Sequence, residues 1–168
     1  AAPARDAAAG AENQATVPFV ELVGHTADLW GASFSPDGTR ALTTSSDKTA
    51  KVWDAASGKL LLTLGGHSEA VRSAAFSRDG ARIATACRNG EARIWDAETG
   101  QVLHSLGGHN EMSEQITFSD DGSRVATASR DGTAKLWDTT DGKEVATLAG
   151  HTEWLSGVVF SPDSSKVG

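Results

Sequence analysis

From Val17 onward, apolar and polar residues alternate in short segments, each closed by a cluster of turn-forming residues. Alternation with a period of two marks a strand with one buried face. The first full set reads LWGASFS (29–35), RALTTS (40–45), AKVWD (50–54) and KLLLTL (59–64). Between them lie the turns Pro36-Asp37-Gly38, Ser46-Asp47-Lys48-Thr49 and Ala55-Ala56-Ser57-Gly58. Two more sets follow the same plan, with Asp79-Gly80 and Asp121-Gly122 at the first turn and Gly100 and Gly142 at the last. Asp-Gly supplies the positive φ angles that short hairpin turns demand. FVEL (19–22) predicts one leading strand, and WLSGVVF (154–160) one trailing strand whose turn and partner are cut short. Residues 1–16, AAPARDAAAGAENQAT, carry no apolar stripe and read as a flexible linker or tail.

The sets repeat in register. Trp53-Asp54, Trp95-Asp96 and Trp137-Asp138 recur every 42 residues, and so do Gly24-His25, Gly66-His67, Gly108-His109 and Gly150-His151. The period divides the chain into repeats near 24–65, 66–107 and 108–149, with a truncated one at 150–168. This spacing with these two signatures belongs to four-stranded blades stacked around an axis. The apolar positions Phe34, Phe76 and Phe118, then Val52, Ile94 and Leu136, then Leu64, Leu106 and Leu148, are predicted to pack between neighbouring blades. One blade cannot bury both of its faces alone, so the repeats must stack. Three complete blades with flanking strands make an incomplete ring. Its open ends expose strand edges and apolar faces, through which copies of the chain can associate.

Composition narrows the function classes. A formal charge of −7 argues against sequence-independent binding to nucleic acid or to an anionic membrane surface. No apolar run is long enough to span a bilayer. Cys87 is the one cysteine, so no intrachain disulfide can form, and a reducing compartment such as the cytoplasm is expected. Cys87 itself reads as a small buried hydrophobe. No nucleophile elbow or phosphate loop occurs, and the histidines come one per repeat rather than clustered. Neither a cofactor nor a metal is expected. His104, outside the repeat phase, reads as solvated on an outer strand.

The marks in phase, Gly-His, Asp in the second turn and Trp-Asp, give the chain its resemblance to the WD-repeat β-propeller family over about residues 19–163. The resemblance implies an all-β fold in which each blade carries a hydrogen-bonded tetrad. Its members here are His25, Asp47 and Trp53 in the first repeat, and His109, Asp131 and Trp137 in the third. His67 and Trp95 stand in the second, and His151 in the fourth. The fourth member is a hydroxyl on the second strand. Thr43, Thr85 and Thr127 are ten residues before each Trp across a tight turn and so near-opposite it; Ser45, Cys87 and Ser129 are the rival positions. Asn89 stands where the second repeat should have its turn Asp, with Glu91 in place of Thr49 and Thr133, so His67 is expected to lack a carboxylate partner. The recurring Ser/Thr–His–Asp set reads as structural, because a catalytic triad is needed once and not once per blade.

The resemblance also implies that partners dock on the face formed by the loops into each innermost strand and by the turns between the middle strands. Residues three and five after each His reach that face: Asp28 and Trp30, Ala70 and Arg72, Met112 and Glu114, Trp154 and Ser156. Ser46, Arg88 and Arg130, just before the turn Asp or Asn, join them. Trp and Arg are the residue types most enriched at interface hot spots. The three arginines suit an acidic or phosphorylated peptide, while Asp28 and Glu114 among them weigh the other way. The expected function is a non-catalytic scaffold that presents this face to protein or peptide partners. A second reading makes the chain the regulatory or sensor part of a larger bacterial signalling enzyme, a kinase or NTPase.

Overall fold

The computed structural model describes residues 19–168; the predicted linker, residues 1–16, lies outside the described residues. Twelve strands form three antiparallel sheets of four. The first holds β1 (Leu29–Phe34), β2 (Arg40–Ser45), β3 (Ala50–Asp54) and β4 (Leu60–Leu64). The second holds β5 (Val71–Phe76), β6 (Arg82–Cys87), β7 (Ala92–Asp96) and β8 (Val102–Leu106). The third holds β9 (Ser113–Phe118), β10 (Arg124–Ser129), β11 (Ala134–Asp138) and β12 (Glu144–Leu148). Each sheet is a simple meander, as tight turns between successive segments require. The first strands, β1, β5 and β9, lie side by side, so the sheets radiate as blades from a common axis.

Each first turn is built the same way. Ser35 donates its hydroxyl to Asp37 at 2.5 Å and accepts the Arg40 N–H at 3.0 Å, while Gly38 supplies φ +71°. The same bonds recur at Ser77, Asp79 and Arg82, and at Ser119, Asp121 and Arg124. They fix the hairpin register that places Phe34 opposite Ala41 and Ala32 opposite Thr43.

The core lies between blades. Leu42, Val52 and Leu64 of the first blade meet Val71, Ile83 and Trp95 of the second; Ile94 and Leu106 of the second meet Phe118, Val125 and Trp137 of the third. Equivalent residues therefore differ in burial according to the neighbour they have. Phe34 is 67 % exposed and Phe118 only 8 %, because each Phe packs toward the preceding blade. Leu64 is fully buried and Leu148 is 40 % exposed, because each Leu packs toward the following one. The ring is open at both ends.

Three expectations need correction. The leading FVEL segment forms no strand, though it lies where one would lie: a Cβ on Gly58 would meet the Glu21 carbonyl at 2.6 Å, just as one on Gly142 would meet the His104 side chain at 2.9 Å. A strand needs a hydrogen-bonding neighbour, and among the described residues none lies beside residues 19–22. The trailing segment likewise forms no ladder, only an isolated bridge between Phe160 and Val167. Leu155, Val158 and Phe160 still cover part of the third blade's apolar face. His104 is half-buried against Gly142 rather than solvated.

Candidate functional site

Two sets of polar residues recur through the blades, one inside the sheets and one at the rim. In the first blade Trp53 donates its indole N–H to Thr43 at 2.8 Å, Thr43 meets His25 Nε2 at 2.8 Å, and His25 Nδ1 meets Asp47 at 2.7 Å. One proton arrangement satisfies all four groups: Trp N–H to Thr oxygen, Thr O–H to Nε2, and Nδ1–H to carboxylate. The third blade repeats it, with Trp137 to Thr127 at 3.1 Å, Thr127 to His109 at 2.8 Å and His109 to Asp131 at 2.9 Å. The Thr lies diagonally across from its Trp rather than opposite it, since the register pairs Thr43 with Lys51 and Thr127 with Lys135. Both side chains stay on one face of the sheet, and the reach is that of a long aromatic.

Ser45, Cys87 and Ser129 do something else. Each ties its strand end to the loop after the Gly-His pair, Ser45 to the Ala27 carbonyl at 3.1 Å, Cys87 to Glu69 at 3.8 Å and Ser129 to Glu111 at 3.3 Å. Burial pushes the Cys87 thiol up to about 12. Although burial alone would raise Asp47 and Asp131, hydrogen bonds from Thr49 and His25, and from Thr133 and His109, hold both carboxyls well below the usual range. The Thr hydroxyls are buried and held between two partners, which leaves them no access to a substrate.

The second blade keeps only half of this joint. Trp95 and His67 both reach Thr85, at 2.8 and 2.9 Å. Asn89 turns away to Ser68, and Glu91 pairs with Arg93, so the buried His67 Nδ1 has no hydrogen-bond partner. Burial, with Arg93 nearby, lowers His67 to about 4. His151 is exposed, and no hydrogen bond holds its ring among the described residues.

The rim set is built by bulges. In β1 Leu29 pairs with Ser45 and Gly31 with Thr44, so Trp30 is an extra residue. Arg72 in β5 and Glu114 in β9 occupy the same place. A bulge re-aims its side chain, and here it turns three successive residues out of the alternation toward one face. The turn residues come alongside through backbone bonds: Ser46 N–H to the Asp28 carbonyl, Arg88 to Ala70, and Arg130 to Met112.

These residues then join across blades. Trp30 donates its N–H to Ser46 at 2.8 Å, and the Arg72 guanidinium lies over its ring at 4.1 Å from the centroid. Arg72 Nε donates to one oxygen of Glu114 at 2.9 Å, and Arg130 Nε donates to the other. Arg130 in turn lies over the Trp154 ring at 4.4 Å. The result is a row, Trp30–Arg72–Glu114–Arg130–Trp154, spanning all three blades. Burial works against the Glu114 charge, but the two arginines hold its carboxyl below the usual range. Trp30 and Trp154 remain 46 % and 62 % exposed. Arg88 is exposed beside the row, without a hydrogen-bond or ion-pair partner among the described residues. Asp28 is also exposed.

The opposite face carries a feature the sequence reading missed. Arg40 donates to the Gly80 and Ala97 carbonyls of the next blade, both at 2.7 Å, and Arg82 to Gly122 at 2.9 Å. Arg at 40, 82 and 124 recurs in phase, which was the available signal. Among the described residues no group of His, Cys, Asp and Glu is arranged to hold a metal ion.

Stacked blades, internal joints and a polar rim define a β-propeller repeat protein. Comparison with known proteins agrees. The family model of the WD domain, G-beta repeat, matches residues 16–54, 58–96, 100–138 and 142–167. The chain belongs to the WD40 family. The matches at 58–96 and 100–138 each run from the outer strand of one blade into the third strand of the next, so these sequence repeats interlock the blades. Serine-threonine kinase receptor-associated protein of Homo sapiens is 51 % identical over 43 residues, which is 26 % of this chain and 12 % of that protein. A WD repeat-containing protein of Synechocystis is 48 % identical over 44 residues, or 26 % of this chain and 13 % of its own length. The chain thus matches only about an eighth of these relatives. Among solved structures, the WD40 repeats of RRP9 superpose with a TM-score of 0.78 at 26 % identity, covering 82 % of this chain and 43 % of that one. WD40 repeat proteins generally act as protein-interaction scaffolds, and their propellers typically serve as non-catalytic modules.

Proposed function

We propose that this chain is a non-catalytic interaction module whose partner, a protein or peptide, sits on the face carrying Trp30, Arg72, Glu114, Arg130 and Trp154. The observation that carries this reading is the row itself. Two large aromatics from opposite ends of the chain are held in fixed orientation by arginines, yet remain about half exposed or more. A rigid Trp offers large contact area at low entropy cost, and an Arg already locked in place loses little on binding. The tetrads supply rigidity, with hydroxyls too enclosed for chemistry. The arginines of the opposite face are engaged with backbone carbonyls and stiffen the contacts between blades.

Site-specific photo-cross-linking tests the reading. A benzophenone amino acid at Met112, on the proposed face, is compared with one at Leu103 on the outer strand β8, in extract from the source cell. The expected result is a discrete cross-linked partner from position 112 and none from 103. Equal labelling from both, or labelling from 103 alone, contradicts it.

A further inference from the structure

The row leaves its arginines unevenly used. Arg72 and Arg130 reach Glu114 through Nε, and no other hydrogen bond engages either guanidinium among the described residues, so their Nη groups remain available as donors. Both flat faces of each guanidinium are not spent either, since stacking on Trp30 and Trp154 occupies one side. Arg88 stands beside them with its whole guanidinium free. Trp30, Ala70, Arg72, Arg88, Met112 and Arg130 line one cavity of about 160 Å³, with no carboxylate in the lining. That is smaller than the roughly 300–1,000 Å³ of a small-molecule pocket. It suits one compact headgroup.

Charge decides which headgroup. Three guanidinium charges against the single carboxylate of Glu114, which pairs with two of them, leave an excess of two positive charges at the cavity; Asp28, exposed on the same face, is not part of its lining. Around it the loops turn acidic: Glu69, Glu111 and Glu153, all exposed, immediately precede Ala70, Met112 and Trp154. A long acidic run laid across this face meets those carboxylates and is repelled. A single dianion on an otherwise neutral segment meets only the arginines. A phosphorylated side chain carries about −1.5 to −2 charges and three acceptor oxygens, which matches both the excess charge and the forked donors. Glu114 is the positioning residue in this arrangement: by holding both Nε atoms it aims two guanidiniums at the same space. Trp30 and Met112 offer apolar surface to the residues flanking the phosphate.

We propose that the cavity between Trp30, Arg72, Arg88 and Arg130 receives a phosphoserine or phosphothreonine side chain of the partner protein. This rests on the reading of the face as the partner site, and names what that partner presents.

The test uses three fluorescent hexapeptide pools, identical in their degenerate neutral positions, with phosphoserine, aspartate or serine fixed at the centre. Their binding to the full chain is measured by anisotropy. The expected result is at least tenfold tighter binding of the phosphoserine pool than of either other pool. Arg88→Ala should remove most of that advantage, with an unchanged melting curve because the Arg88 side chain is exposed and makes no bond among the described residues, while its backbone bond to Ala70 is kept. Inorganic phosphate at millimolar concentration should compete. Equal binding of all three pools, no binding of the phosphoserine pool, or indifference to Arg88→Ala overturns the proposal. If the serine pool binds as well as the phosphoserine pool and Trp154→Ala abolishes both, the phosphate assignment fails while the face remains the partner site. Binding of the phosphoserine pool that survives both Arg88→Ala and Trp154→Ala places the phosphate elsewhere and contradicts both.

Discussion

The Nδ1 atom of His67 lies 4.0 Å from the nearest carboxylate oxygen of Glu91, and no hydrogen bond spans the gap. In the flanking blades the same nitrogen is held at 2.7 Å by Asp47 and at 2.9 Å by Asp131. One blade of the three therefore carries a buried, half-satisfied imidazole.

This blade should set the acid limit of stability. His67 is lowered from 6.5 to about 4 in the folded state. The unfolded chain thus binds the proton first, so the stability His67 contributes is complete above pH 6.5 and is lost as pH falls toward 4. Protonation there costs up to about 3 kcal/mol. Restoring the pattern with Asn89→Asp and Glu91→Thr should add about 1 kcal/mol at neutral pH by supplying the missing acceptor. Urea unfolding of both proteins between pH 7 and 4 measures this. A parallel pair of stability curves, with no gain at pH 7, would show that Nδ1 is satisfied in solution.

The joints themselves should be expensive to break. Trp137→Ala removes a buried indole and should cost about 3–5 kcal/mol. Thr127→Val keeps the shape but strips the partner from both Trp137 and His109, and should cost about 1–3 kcal/mol. Ser129→Ala, which loses the loop bond to Glu111 and the acceptor of the Asp131 N–H but leaves Trp137 and His109 paired, should cost less than Thr127→Val. Chemical denaturation orders the three variants. The reverse order for Thr127 and Ser129 would move the hydroxyl of the joint to the other position.

Much of this was legible in the sequence, for reasons that particular residues make plain. The strands of the three blades follow from strict alternation between Asp-Gly and Gly turns, and the stacking follows from a period kept from Trp53 to Trp137. The bulges were not legible. A bulge adds one residue to an alternating run, and nothing in LWGASF or VRSAAF announces that Trp30 or Arg72 is the extra one. Nor was the Trp–Arg–Glu–Arg–Trp row, because it depends on the blade-to-blade rotation that brings Trp30, Arg72 and Glu114, each 42 residues from the next, side by side. The end segments misled for the opposite reason: FVEL and WLSGVVF have strand patterns, but a pattern needs a neighbour to become a ladder.

Equivalent phenylalanines should differ in worth. Phe34→Ala, at the open leading end, should cost no more than about 1 kcal/mol, whereas Phe118→Ala should cost about 3 kcal/mol or more. Thermal melts of the two variants check it. A comparable loss at Phe34 would mean that another chain or segment covers the leading blade in solution.

Cys87 should be inert in the native protein. It is fully buried and its thiol is pushed up to about 12, so the thiolate is scarce at neutral pH. Reaction with a thiol-specific chromogenic disulfide should be slow in buffer and fast in denaturant. Rapid labelling in buffer would show that the second blade opens readily.

The central claim is that Trp30 and Trp154 are presented to a partner rather than spent on the fold. The direct measurement pairs the melting temperature with the affinity for the cross-linked partner, for the wild type and for the double variant Trp30→Ala/Trp154→Ala. The account predicts binding weakened at least a hundredfold, as for hot-spot tryptophans costing about 2 kcal/mol or more each. Stability should fall by no more than about 2 kcal/mol, the reach of two exposed substitutions. Unchanged affinity, or a collapse of the fold with it, would contradict the claim.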